Sequence, residues 1–215
     1  GARPTVIYGQ QGRYVGFNEA MSNVKLRAGA VLKAPEVFLA GRGNLVVEAG
    51  AGISTLGQGA PIYDSSSGFV YQPGDSSLLA VSNGRLDVLA PAATGKGSIL
   101  LGVCNTSSCS ANSTFYSEGT ITAATNGAFE LCEASRYGTR HLALAVGGVD
   151  AGSGPALADA QARGVLASGL TLNQDVLQRL LNGDTSTGAP ALESLTLTAR
   201  DAINFYGSVT LDTID

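Results

Sequence analysis

One rhythm constrains this chain more than any other feature: apolar, any, apolar, any, Ala or similar, and then often Gly or Pro. It appears in Val24-Lys25-Leu26-Arg27-Ala28-Gly29, in Leu45-Val46-Val47-Glu48-Ala49-Gly50 and in Leu86-Asp87-Val88-Leu89-Ala90-Pro91. It returns in Leu142-Ala143-Leu144-Ala145-Val146-Gly147 and in Leu195-Thr196-Leu197-Thr198-Ala199-Arg200. Alternation of period two is the signature of a strand with one buried face. It turns Val24, Leu26, Leu45, Val47, Leu86 and Val88 inward, and Lys25, Arg27, Glu48 and Asp87 toward solvent.

The copies begin at 24, 45, 86, 142 and 195. The first two lie 21 residues apart and the third starts 41 further on, close to two units. A unit near ~20 residues matches one coil of a solenoid. A second strand follows within a unit, at Val37-Phe38-Leu39 and at Val209-Thr210-Leu211. An antiparallel sandwich would also alternate, but with strands every ~8–12 residues and frequent hairpin turns. The hairpin pair Asn-Gly occurs only at Asn83-Gly84, Asn126-Gly127 and Asn182-Gly183. The expected fold is all-β, a right-handed parallel β-helix spanning 1–215 as a single domain. The last residues, Leu211-Asp212-Thr213-Ile214-Asp215, read as mid-strand, so a segment of a larger protein is expected.

Composition agrees with closely stacked short strands. Gly is 29 of 215 residues and Trp is absent. Charged residues are 14%, against about 25% in an average domain. With 44% apolar residues and a net charge of -4, the chain can form a core. Nucleic acid is excluded as a partner, because binding it needs clustered cations. Here 13 scattered basic residues face 17 acidic ones. No apolar run of about 18 residues appears, so no membrane insertion is expected. No signal peptide is visible either.

Residues 104–190 break the rhythm and read as an excursion inserted between regular coils, extrahelical and made of loops and α-helix. Asn173 is a good helix N-cap, Asp175 suits the positive end of the helix, and Gly183 suits the position after its last turn. Val176, Leu177, Leu180 and Leu181 form one apolar face between them. A weaker helix is expected from Ala156 to Arg163.

Candidate chemistry is sparse. His141 is the only histidine, it follows Arg140, and no nucleophile is placed near it in sequence, so it reads as a strand-edge residue. Cys104, Cys109 and Cys132 are an odd set. In an exported protein, Cys104 and Cys109 would close a small polar loop. The alternatives are Cys132 bonded to one of them, or Cys132 as a buried apolar thiol. The acids Asp64, Asp75, Asp87, Asp159, Asp175, Asp184, Asp201 and Asp212 are dispersed, with no Asp-Asp or Asp-x-Asp. Gly183-Asp184-Thr185-Ser186-Thr187-Gly188 faintly resembles a cation loop but reads better as a linker.

Gly41-Arg42-Gly43-Asn44 and Gly95-Lys96-Gly97-Ser98 lack phosphate-loop spacing and read as turns. Asn105-Thr106-Ser107 and Asn112-Ser113-Thr114 match the glycosylation pattern, as Ser/Thr-rich loops readily do. Tyr8, Tyr14 and Phe17 read as rings stacked between coils, with sugar stacking as the alternative. No catalytic residue, metal site or cofactor is expected.

The segment from Leu195 to Asp212, and within it Phe205-Tyr206-Gly207-Ser208-Val209-Thr210-Leu211, resembles the filamentous haemagglutinin-like exoproteins of Gram-negative bacteria. The likeness covers Val24 to Ala90 and Leu195 to Asp212. These proteins are passengers of two-partner secretion. The resemblance implies a structural or adhesive β-helix module of a large exoprotein, secreted or outer-membrane associated at the cell surface, and not an enzyme. It implies an outer-membrane transporter as export partner and a host receptor or glycan as ligand. The Asn-Pro motifs of a secretion domain are missing, which points to a later segment. Such passengers usually avoid cysteine. A short-range disulfide crosses a pore more easily than a long-range one, which favours Cys104–Cys109. The alternative function is a carbohydrate-binding or polysaccharide-degrading β-helix protein.

Overall fold

The alternating copies do form strands. The computed structural model describes residues 5–8, 23–61, 70–71, 77–90, 97–103, 112–132, 134–167 and 169–211. Along this chain lie β1 (Thr5–Tyr8), β2 (Val24–Leu26), β3 (Val31–Lys33), β4 (Glu36–Gly41), β5 (Leu45–Glu48) and β6 (Gly52–Ser54). Then come β7 (Val70–Tyr71), β8 (Ser77–Ser82), β9 (Asp87–Val88), β10 (Ile99–Val103), β11 (Thr114–Tyr116) and β12 (Thr120–Ala124). The rest is β13 (Phe129–Leu131), β14 (Arg136–Gly138), β15 (His141–Gly152), α1 (Gly154–Ala162), β16 (Leu170–Asn173), α2 (Gln174–Asn182) and β17 (Ser194–Tyr206).

The principal sheet runs β1-β4-β8-β12-β15-β16-β13-β10-β5-β2, with β17 added on β15. The long strand β15 joins its two arms. Residues His141–Ala145 pair with β12, and Val149–Gly152 pair with β16. The sheet turns back on itself through β15 and nearly closes into a barrel. Pairing is parallel except at β8, which is antiparallel to both β4 and β12. A second parallel sheet, β14-β11-β6-β3, and the small pair β7-β9 complete the strands.

This overturns the expected right-handed parallel β-helix. The fold is mixed α/β, with one nearly closed, mostly parallel sheet, a second parallel sheet and two helices. A continuous solenoid repeats one strand direction in every coil, and the reversed β8 breaks that rule. The physical reason is that period-two alternation specifies a strand and its buried face, but not its neighbours or its direction. Parallel pairing is present, for example Val24↔Leu45 and Leu45↔Ile99, but within a sheet that folds onto itself. Residues 104–190 contribute β11 to β16 to the two sheets as well as both helices.

The interior of the fold is aliphatic. Leu39, Leu45, Leu79, Ile99, Leu101, Leu144, Leu170 and Leu172 are fully buried, each contributing about 1.5–3 kcal/mol of burial. Phe115 of β11 stacks on Tyr137 of β14 with ring centroids 5.3 Å apart. On the outer face, Phe38, Leu78, Ala80 and Leu86 form a smaller cluster.

Lys25 and Arg27 point outward as expected, but Glu48 is buried. Its carboxylate takes Lys25 Nζ at 2.7 Å, Arg27 at 3.3 Å and the Ala28 amide at 2.9 Å, clasping β2 to β5. Helix α2 forms where its cap and apolar face predict. Asn173 Oδ1 accepts from the Val176 amide at 2.8 Å, and Val176, Leu177, Leu180 and Leu181 are buried. Gly183 closes it at φ 63, a conformation side chains resist. Val209-Thr210-Leu211 is not a strand; the Thr210 backbone exchanges two hydrogen bonds with the Gln174 side chain instead.

Candidate functional site

Polar side chains gather at the corners where the second sheet hands the chain to the first. Thr55, Ser117 and Thr139 each follow a strand of the second sheet immediately, and all three are buried. Their hydroxyls bond across the corner: Thr139 to Gly119 O at 3.0 Å, Thr55 to Asn83 Oδ1 at 2.5 Å, and Ser117 to Ser82 O. Asn83 is the hub. Its amide donates to Thr55 O at 2.6 Å and Gly59 O at 2.9 Å, and its oxygen accepts from the Glu118 amide at 3.0 Å. It sits just past the reversed β8, so this row ties the odd strand to the rest. The dipeptide Asn83-Gly84 was visible in sequence as a turn signal, but its partners, up to 35 residues away, were not.

A second cluster holds the loop after α2 against the second sheet. Tyr116 donates to Asp184 Oδ2 at 2.5 Å, Ser186 donates to Oδ1 at 2.9 Å, and Arg136 lies 3.6 Å from Oδ2. Hydrogen bonding from Tyr116 is the main cause holding the Asp184 carboxyl below its ordinary value. Burial, and then the same carboxylate, push the Tyr116 phenol up. Burial also raises Tyr137 well above the usual phenol range. The segment read as a linker also acts as a clasp: the Thr185–Thr187 turn is a single turn of 3-10 helix, and Asp184 points at a phenol and a guanidinium. Among the described residues no three His, Cys, Asp or Glu side chains converge as a metal site.

The third cluster is one that sequence distance hides. His141 Nδ1 lies 2.8 Å from Ser194 Oγ, brought there by the His141↔Ser194 register of β15 on β17. Beside it Arg140 pairs with Glu193 on an exposed surface. A hydroxyl and an imidazole in contact are the first two parts of an acyl-transfer triad. The third part is missing among the described residues: no carboxylate bonds the other ring nitrogen, and the nearby Glu193 is held by Arg140. The strand-edge reading of His141 thus describes its place, with Ser194 as its partner.

A fourth pair lies under the helix side of the sheet. Asp150 alternates with the core residues Val149 and Ala151 and so points away from the core. It is fully buried and accepts one bond among the described residues, from Asn204 Nδ2 at 2.9 Å, while its Oδ2 has no partner among them. Helix α1 packs on β15 and β17 here.

The remaining sequence candidates fall apart in space or outside the described residues. Gly43 and Ser98 belong to a stack of turns in which Asn44 accepts from Ser98 Oγ at 2.7 Å and donates its amide to Asn23 Oδ1 at 2.8 Å. Asn112 is exposed, whereas Ser113 is buried and donates to Glu48 O at 2.8 Å. Cys132 is a half-buried free thiol. Cys104 and Cys109, with the proposed bridge, lie outside the described residues, as do Tyr14, Phe17, Asn105, Asp64, Asp75 and Asp212. No helix among the described residues is long and apolar enough to cross a membrane. Comparisons with protein-family models, with curated proteins and with solved structures each return no match.

Proposed function

We propose that this chain is a structural and adhesive module of a large exported bacterial exoprotein, a two-partner secretion passenger displayed at the cell surface or released, and not an enzyme. One observation supports this best. Three of the polar clusters hold strand to strand or loop to sheet: Glu48 between β2 and β5, Asn83 at the corner, Asp184 under its loop. Such groups brace the strands around them, and the exposed His141–Ser194 pair has no carboxylate on its other ring nitrogen among the described residues. The resemblance of the Leu195–Asp212 segment supplies the exported context, and with it an outer-membrane transporter as export partner. The ligand class is a host receptor or a surface glycan.

The test uses the whole chain. Immobilised on a sensor, it is expected to bind a subset of a glycan and host-surface-protein panel. In parallel it is incubated with acidic polysaccharides and with ester substrates. Release of reducing ends, unsaturated sugars or acids, lost on Ser194→Ala, would overturn the non-catalytic reading. Absence of binding across the panel would overturn the adhesive one.

A further inference from the structure

We propose that Asn126-Gly127 is a self-modifying bend: in the folded chain it closes to a succinimide, releases ammonia and opens to aspartate or isoaspartate, with the Arg200 guanidinium on the oxygen that turns negative. The chain holds three Asn-Gly pairs, at Asn83, Asn126 and Asn182. They share one reactivity, because glycine has no side chain to shield its backbone nitrogen from the amide carbon before it. The fold makes the three unequal.

Two of them are restrained. Asn83 Oδ1 accepts from Thr55 Oγ1 and from the Glu118 amide, and its Nδ2 donates to Thr55 O and Gly59 O. Gly84 is buried, and its N–H donates to Ser82 Oγ at 3.0 Å. Ring closure there would break the corner that ties β8 to its neighbours. Asn182 is the last residue of α2, and the N–H of Gly183 donates to Arg179 O at 3.1 Å. That is a helical bond to the fourth residue back, and it commits the nucleophile. Asn182 Oδ1 also accepts from Gln178 Nε2 at 3.0 Å.

Asn126 differs at each point. It lies in the bend between β12 and β13, in neither strand, and both it and Gly127 are half-buried. The Gly127 N–H donates to Thr125 Oγ1 at 3.4 Å, longer than an ordinary hydrogen bond. The Asn126 oxygen takes a cation, since Arg200 Nη1 donates to it. Nε and Nη2 of the same guanidinium grip Asp201 at 3.0 and 2.6 Å, which fixes its plane. A fixed cation on a carbonyl oxygen draws electrons from the carbon and steadies the oxyanion formed on attack.

The steps balance with water alone. Gly127 N gives its proton to hydroxide and bonds Asn126 Cγ, and the carbonyl electrons move onto Oδ1. Their return expels Nδ2, which takes a proton from water and leaves as ammonia. Water then opens the ring. Attack at Cγ breaks the bond to Gly127 N and leaves aspartate; attack at the main-chain carbonyl carbon of residue 126 leaves isoaspartate, with one extra methylene in the backbone. One water is consumed beyond those regenerated, and nothing is oxidised. Either product sets a new carboxylate beside Arg200, where a charge-assisted bond replaces a weaker one.

The intact folded chain is held at physiological temperature in mildly alkaline buffer and then mapped by peptide mass spectrometry for the amide-to-acid mass gain. Asn126 is expected to convert at least about tenfold faster than Asn83 and Asn182, whereas in denaturant the three rates should converge. Arg200→Gln should slow Asn126 about tenfold in the folded chain and leave its rate in denaturant unchanged. Gly127→Ala, which shields the nucleophile, should slow Asn126 in both states and leave Asn83 and Asn182 as they were. Folded-state conversion at Asn126 no faster than at the other two overturns the proposal. Equal folded rates with and without Arg200 overturn the part given to the guanidinium.

Discussion

Strands β15 and β17 lie side by side for their whole length and share the same alternation, yet nearly all of β15 is buried and none of β17 is. Leu144 is 1% exposed, while its register partner Leu197 is only half-buried. The difference is in neighbours. Strand β15 has β12 and β16 on one edge and β17 on the other, whereas among the described residues β17 pairs with β15 alone. The two strands teach that alternation assigns a residue to a face, and that burial depends on how many layers close over it.

The largest break in that comparison should come from matched truncations. Leu144→Ala is expected to cost about 2–5 kcal/mol, the range for a buried leucine that leaves a cavity. Leu197→Ala should cost less than half as much, because solvent already reaches it. Denaturant unfolding of both variants measures the gap, and equal losses would show β17 to be as covered as β15.

A smaller effect should follow from the bond that ties the two strands together. Asn204→Ala removes the one partner that the buried Asp150 carboxylate has among the described residues. The expected loss is about 1–3 kcal/mol, the cost of an unsatisfied buried polar group. Asp150→Asn in the Asn204→Ala background should recover part of it, because an amide is less costly to bury than a carboxylate.

The smallest effect sits away from both strands and sets the scale for a polar clasp. The lowered Asp184 carboxyl binds its proton less readily folded than unfolded. Its bonds therefore add stability above the ordinary carboxylate value, and that stability is lost as pH falls through the lowered folded value. Asp184→Asn should cost about 0.5–1.5 kcal/mol at neutral pH. The gap to wild type should close on acidification below about pH 4. A gap independent of pH would show that the charge contributes nothing.

How much of this was legible follows from the range of each interaction. Helix α2 was readable to its cap because Asn173, Val176 and Gly183 act within a few residues of one another. The strands were readable because alternation is local. Glu48 was misplaced because its outward position ignores Lys25 and Arg27, 23 and 21 residues earlier on the neighbouring strand. Ser194 beside His141 and Asn204 beside Asp150 depend on the β15–β17 register, set over more than 50 residues of intervening chain.

The sequence by itself determined that this chain makes short, glycine-punctuated strands with one apolar face, a capped amphipathic helix, and few charges to scatter. Those properties follow from backbone sterics and from side chains close enough along the chain to meet. Only the tertiary structure decided that the strands join through β15 into one nearly closed sheet, that β8 runs backwards, and that β17 has one strand neighbour among the described residues. Strand order and direction are settled by contacts across the fold, where many arrangements of the same alternating strands bury the same residues and loop closure and corner hydrogen bonds choose among them.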